Sequence, residues 1–274
     1  LALARALREA RIVTRHPLVF VGTVGEEGTG DLRGVKHLFR EGSPWREAMG
    51  FIAVDGTGHT RVVHRAIGSR RLRVTARGPG GHSWANWGTV NPIHALASAL
   101  AGFERYTPPA NGRSSLSVGR IGGGTSVNAI PDEAWFELDI RSESGNALSD
   151  LERRVRRTLD RAITASNRRR LRGTLPLDLE IEVIGDRPSG TTPPGAPIVE
   201  AACEATRLVG ESPELIASST DANVPIALGI PAITLGAGGE GGGMHTTEEW
   251  YRNDGGVQGL ERLLITALGL VGVD

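Results

Sequence analysis

The chain has 274 residues, 39% of them hydrophobic, and its 31 basic side chains balance 31 acidic ones. That length holds one large domain or two smaller ones with ordinary cores, and the charge balance gives no reason to propose nucleic acid or an anionic membrane as partner. A single cysteine, Cys203, excludes an intrachain disulfide; no run approaches the roughly 20 apolar residues of a membrane span and no signal segment opens the chain, which reads as cytoplasmic.

Residues 1 to about 65 alternate helix and strand signals. The first 16 open in mid-helix, and LVFVGTVG, residues 18–25, reads as a buried strand. It ends on two adjacent carboxylates, Glu26 and Glu27, within TVGEEGTGDLRG. Neighbouring like charges at a glycine-bounded turn cost energy unless a cation offsets them. At a turn both side chains can aim into one cleft, one binding a metal and the other working as a base. A solvated Glu-Glu turn is the plain alternative. A helix is expected at 31–41, and GFIAVDGTG, residues 50–58, places Asp55 at the exit of a short apolar strand.

The pattern then changes. RRLRVTARG reads as a strand, PIHALASALAGFERY as an amphipathic helix and SSLSVGRIG and AWFELDIRS as alternating strands; ALSDLERRVRRTLDRAITASN is a long helix and LDLEIEVIG a last strand. That order is β-α-β-β-α-β, the ferredoxin-like split unit, over about 68–187. Its long helix is rich in arginine, but Leu151, Val155, Leu159 and Ile163 mark an apolar seam at spacing four, so the arginines read as a solvated outer face. Lys36 is the only lysine in the chain, and arginine abundance is general here. GRIGGGTSVN lacks the lysine of a phosphate loop, and no helix is expected after it, which excludes nucleotide binding there.

Helix and strand signals alternate again from 195 to 274, with helices at 196–209 and 255–270. Cys203 lies inside the first and reads as a core residue rather than a nucleophile. An apolar strand, Ile230 to Leu235, runs into a glycine loop that reaches His245. Glu27, Asp55 and His245 are ligand types that zinc accepts, and each follows a strand end, where sites form in open α/β sheets. A loop histidine at the surface is the alternative for His245.

Five strings carry a resemblance: GEEGTGD at 25–31, GPGGHSWANWGTVNPIHAL at 78–96, GRIGGGTSVNAIPDEAWFELDIRSE at 119–143, STDANVP at 219–225 and GGMHTTEEW at 242–250. In order and detail they resemble the zinc-dependent metallopeptidase and amidohydrolase family of aminoacylase, acetylornithine deacetylase, succinyl-diaminopimelate desuccinylase, carboxypeptidase G and peptidase T. The resemblance implies a zinc-exopeptidase-like α/β catalytic domain, a mixed sheet flanked by helices, with an inserted ferredoxin-like lid and dimerisation domain. On that plan residues 1–67 and 188–274 form the catalytic domain and 68–187 the lid. Family members carry a His-x-Asp motif and a metal-bridging aspartate before the Glu-Glu turn. None of the seven histidines here is followed two residues later by aspartate, and no aspartate precedes Asp31, so an N-terminally truncated catalytic domain is expected.

The resemblance also implies a homodimer formed through the lid and a site with two zinc ions, for which cobalt or manganese are alternatives. Glu26 would be the catalytic base. Glu27 and His245 would ligate one metal and Asp55 the other. His82, reaching into the partner subunit's site, would donate to the oxyanion; Asn128 and Arg141 would hold the substrate's carboxylate, with Thr220 and Gly243 beside it. The implied reaction is hydrolysis of an amide or peptide bond in a small carboxylate-bearing substrate, a short peptide or an N-acyl amino acid, by a metal-activated water. Alternatives stay open: Arg141 as a surface ion-pair residue, His82 as a structural turn residue, Thr220 and Asp221 as groups that orient the site or cap a helix. A non-catalytic dimerising or ligand-binding protein that has lost metal ligands is the rival for the whole chain.

Overall fold

A computed structural model describes residues 1–107, 113–244 and 246–274. In chain order the elements are α1 (Ala2–Glu9), α2 (Arg33–Leu38), β1 (Phe51–Val54), β2 (Arg61–Ala66), β3 (Gly68–Arg77), β4 (Gly81–His82) and α3 (Pro92–Phe103). Next come β5 (Ser114–Gly123), β6 (Ala129–Ile130), β7 (Glu133–Ser142), α4 (Gly145–Arg169), β8 (Asp178–Arg187), β9 (Gly190–Thr191) and α5 (Pro197–Leu208). The chain continues with β10 (Glu214–Ser218), α6 (Asn223–Ala227), β11 (Ala232–Leu235), β12 (Glu240–Gly242), β13 (Trp250–Arg252) and α7 (Gly256–Val271). They divide into two compact units, one of Leu1–Ile67 with Arg187–Asp274 and one of Gly68–Asp186.

The first unit is built on a mixed sheet of order β1-β11-β2-β10, with β9 added to β2. β1 and β11 run parallel, β11 and β2 antiparallel, and β10 parallel to β2. Alternation along β1 and β11 sends Ile52, Ile233 and Leu235 to one face, against Ile198, Val199 and Ala202 of α5 and Leu263 of α7. Ala53 and Ala232 face the other way, toward Ala222 and Ile226 around α6. A further cluster joins Leu32, Val35 and Phe39 to Val224 and Ile230, and Phe39 meets Phe51 edge-on at 5.4 Å. Covering both faces gives the apolar, barely alternating strands expected of a buried sheet.

Two expectations fail here. Residues 18–25 form no strand: none of the described strands pairs with them, and Val19, Phe20, Val21 and Val24 are about half exposed, at 53, 50, 47 and 60%. A strand needs a neighbour for its N–H and C=O groups, and apolar, β-branched composition alone supplies none. The helix expected over 31–41 is reduced to α2, because Asp31 and Leu32 both take positive φ, 52° and 59°, and the helix begins only after them.

The second unit is built on a sheet of order β5-β7-β3-β8, in which β7 runs antiparallel to both β5 and β3. Together with α3 and α4 it is the expected β-α-β-β-α-β arrangement. Leu72, Val74 and Ala76 of β3 and Phe136, Leu138 and Ile140 of β7 share one core with Leu96, Ala99 and Phe103 of α3 and Leu151, Val155, Leu159 and Ile163 of α4. On the opposite face Arg73 lies 4.1 Å and Arg120 5.4 Å from the centre of the Trp135 ring, and both guanidinium groups reach Glu137. Along α4, Arg153 pairs with Asp150 and Arg156 with Glu152, so part of its arginine face is compensated locally.

Candidate functional site

Glu26 and Glu27 sit in a turn that glycines make possible. Leu32 N–H donates to the Gly25 carbonyl at 2.8 Å and Gly34 N–H to the Val24 carbonyl at 2.9 Å. A Cβ on Gly30 would stand 2.5 Å from Gly25 Cα, and one on Gly34 would stand 2.5 Å from Val24 N, so only glycine lets the two backbone segments approach. Glu27 is extended and starts a single 3-10 turn over Gly28–Gly30. Lys36 Nζ holds Asp31 Oδ2 at 2.5 Å across the strained pair of positive-φ residues.

Asp55 is fixed from the sheet. Its N–H continues the β1–β11 ladder by donating to the Leu235 carbonyl at 3.0 Å, and Gly56, at φ +80°, turns the chain away. Asp221 follows β10, before α6. It is 8% exposed; Oδ2 accepts from Thr23 Oγ1 at 2.5 Å, whereas Oδ1 is buried without a hydrogen-bond partner. It does not cap α6. Thr220, 4% exposed, shares a 2.6 Å hydrogen bond with Thr234 and accepts from Ala222 N–H, which makes it part of the turn that presents Asp221.

These acids act on one another. The Glu26 carboxyl is pushed above its ordinary pKa by burial, with Asp55 and Glu27 adding to the rise and Arg187 opposing it. Asp55 is raised by burial, then by Glu27 and Asp221, against a hydrogen bond from Gly56 and the charge of Arg187. The sequence reading brought Glu26, Glu27 and Asp55 together and left Asp221 ambiguous; it missed Arg187 and Thr23. Arg187, 6% exposed, donates through Nη1 to Glu26 Oε1 at 2.9 Å and through Nη2 to the Glu26 main-chain carbonyl. The one signal that could have found it was an arginine directly before proline at the end of a predicted strand, in GDRPSG.

Mutually repelling carboxylates and the buried, orphaned Oδ1 of Asp221 suit a bound cation, and oxygen donors suit zinc, cobalt or manganese. Among the described residues no three His, Cys, Asp or Glu side chains are grouped to hold one ion. His245, the expected ligand on the glycine loop, lies outside the described residues. Gly243 on that loop has φ +65°, and a Cβ there would meet the Glu248 carbonyl at 2.7 Å.

The other expected residues belong to the second unit. β4 pairs with β6, placing His82 opposite Ala129, and Ser83 N–H donates to the Asn128 carbonyl at 2.9 Å; His82 and Asn128 are thus neighbours. His82 Nδ1 accepts the Trp84 N–H at 3.1 Å, so the neutral ring carries its proton on Nε2. Asn128 Oδ1 accepts from Ser126 Oγ at 2.5 Å. Arg141 lies in the other, four-stranded sheet, near the end of β7 opposite Ser69 of β3 and away from His82 and Asn128, its Nε donating to Asp139 Oδ2 at 2.7 Å. Trp84 and Trp87 beside His82 are 86 and 81% exposed.

Known proteins resemble this chain in sequence and fold. Residues 66–165 match the family model described as the peptidase dimerisation domain. A succinyl-diaminopimelate desuccinylase of Corynebacterium glutamicum is 27% identical over 234 residues, 82% of this chain and 58% of that protein. One from Magnetococcus marinus is 27% identical over 212 residues, 73% of this chain and 52% of its own length. The chain therefore spans between half and three fifths of the length of these relatives. Among solved structures, the aminopeptidase PepT from Bacillus cereus superimposes with a TM-score of 0.74 at 25% identity, covering 98% of this chain and 67% of that one.

Proposed function

We propose, from a chain related to the zinc metallopeptidases and amidohydrolases, that it supplies the base, metal ligands and lid of a hydrolase acting on an amide or peptide bond of a small carboxylate-bearing substrate. The observation that carries this reading is the convergence of Glu26, Glu27, Asp55 and Asp221, whose mutual repulsion, with the buried and unpartnered Oδ1 of Asp221, leaves an acidic site in want of a cation. Glu27 and Asp55, with His245, are the proposed ligands, and a metal held there would supply Lewis acidity that brings a water's pKa toward neutrality.

Glu26 takes the proton from the attacking water and returns it to the leaving nitrogen. Burial raises its carboxyl above the ordinary glutamate value, which makes it a better proton acceptor than a free glutamate. His82, with its proton on Nε2, is a ready hydrogen-bond donor for a developing oxyanion. Asn128 and Arg141 are the proposed anchors of the substrate carboxylate, for which a guanidinium fork is well shaped. Thr220 and Gly243 shape the surroundings, and the dimerisation domain supports a homodimer.

The test is zinc content and hydrolysis of small peptides and N-acyl amino acids by the full-length protein, with Glu26→Gln alongside. The reading expects bound zinc and a loss of roughly 100- to 10,000-fold in kcat in the variant, with zinc retained. A protein that binds no zinc, or a variant that hydrolyses at the parental rate, would overturn the reading and favour a non-catalytic, dimerising protein.

A further inference from the structure

We infer that Arg187 is the positioning residue of this site, fixing the Glu26 carboxylate with a guanidinium that grips both its side chain and its main-chain carbonyl. The inference rests on Glu26 being the base. Arg187 stands at the end of β8, where Pro188 stops the strand, and its side chain is only 7% exposed. Nη1 reaches Glu26 Oε1 at 2.9 Å and Ser219 Oγ at 3.4 Å, while Nη2 takes the Glu26 carbonyl. One planar group thus ties the Glu26 side chain and main chain to the turn that presents Thr220 and Asp221.

Three consequences follow from this geometry. The Glu26 carboxylate is held in one orientation, because the fork engages it at one oxygen and anchors the backbone behind it. The occupied Oε1 leaves Oε2 as the oxygen that can take a proton. Arg187 is also the cation that acts on both Glu26 and Asp55, so it offsets the acidic cluster whether or not a metal is present. Its Nε, buried without a hydrogen-bond partner, shows that the guanidinium is placed for the Glu26 contacts at the expense of its own full satisfaction.

Arg187→Met and Arg187→Lys, measured beside Glu26→Gln in the full-length protein, test this. Arg187→Met is expected to lower kcat on the order of 100-fold, as misplacing a reacting group by about an ångström does, with KM changed less than about threefold and zinc content retained. Without activity as readout, the metal-free Arg187→Met protein should melt below the metal-free parent and gain more from added zinc, because the carboxylates have lost their built-in cation. Arg187→Lys keeps the charge but cannot bridge side chain and carbonyl with a planar fork, and should retain the melting temperature while kcat falls roughly tenfold.

A zinc-loaded Arg187→Lys protein with parental kcat would overturn the inference, even if Arg187→Met does not fold. Parental kcat there together with an inactive Glu26→Gln would leave the base assignment standing and remove only Arg187 from it. An active Glu26→Gln would instead remove the premise.

Discussion

The two units treat charge in opposite ways. Among the described residues, the unit over Gly68–Asp186 buries serine and threonine but no ionisable side chain, and its arginines and carboxylates meet on the open face of the sheet or along α4. The unit that carries the acidic site buries Arg187, Asp221, His64 and Arg262, and among the described residues every buried side-chain atom without a hydrogen-bond partner lies in it. Arg262 is completely buried. It donates to Thr206 and to the Arg61 carbonyl, and burial pulls its pKa down to about 10. Unsatisfied buried charge is a cost that a unit built around one apolar core avoids and that the unit with the acidic cluster accepts.

The unit over Gly68–Asp186 should respond most strongly to loss of core volume. Leu159→Ala, at a fully buried position between α4 and the sheet, should cost about 2–5 kcal/mol in chemical denaturation. A loss no larger than that of a surface substitution would mean this unit does not rest on one continuous core.

The site-bearing unit should answer to pH instead. Burial and neighbouring acids raise Asp55 and Glu26 above their ordinary values of 3.8 and 4.5. Between those values and the raised ones the native state binds more protons than the unfolded chain, so this contribution to stability falls as pH rises through the window. Asp55→Asn should therefore stabilise the metal-free protein at about pH 7 and lose that advantage below about pH 4, as read from melting temperatures. A gain that persists in acid would place its origin outside this carboxylate.

Smaller effects sharpen the picture. Asn91 caps α3, its Oδ1 accepting the N–H groups of Ile93 at 2.9 Å and His94 at 3.3 Å. Asn91→Ala should cost about 0.5–2 kcal/mol. Arg153→Gln, which removes an exposed pair with Asp150 on α4, should change stability by less than about 0.5 kcal/mol, and by less still at high salt.

Legibility followed the same division. In the unit over Gly68–Asp186 each strand alternates and each helix carries its apolar seam, so β3, α3, β5, β7, α4 and β8 could be read one by one from the sequence. In the other unit α5, β11 and α7 were equally plain, but residues 18–25 were read as a strand on composition and make none. The helix before β1 was overextended because αL residues at Asp31 and Leu32 leave no trace in periodicity. Glu26, Glu27 and Asp55 were legible because acids at the ends of apolar runs are costly without a reason. Arg187 was not, since an arginine in an arginine-rich chain looks like any other.

The sequence by itself determined which segments seek a core and which residues bring metal-type chemistry, because periodicity and the cost of charge are local properties. Only the tertiary structure decided which acids share a field and which cation opposes them. Arg187 and Glu26 are 161 positions apart and meet at 2.9 Å, and Thr23 and Asp221, 198 apart, meet at 2.5 Å. Charge interactions depend on distance through space and on burial, and the chain acquires both only when it folds.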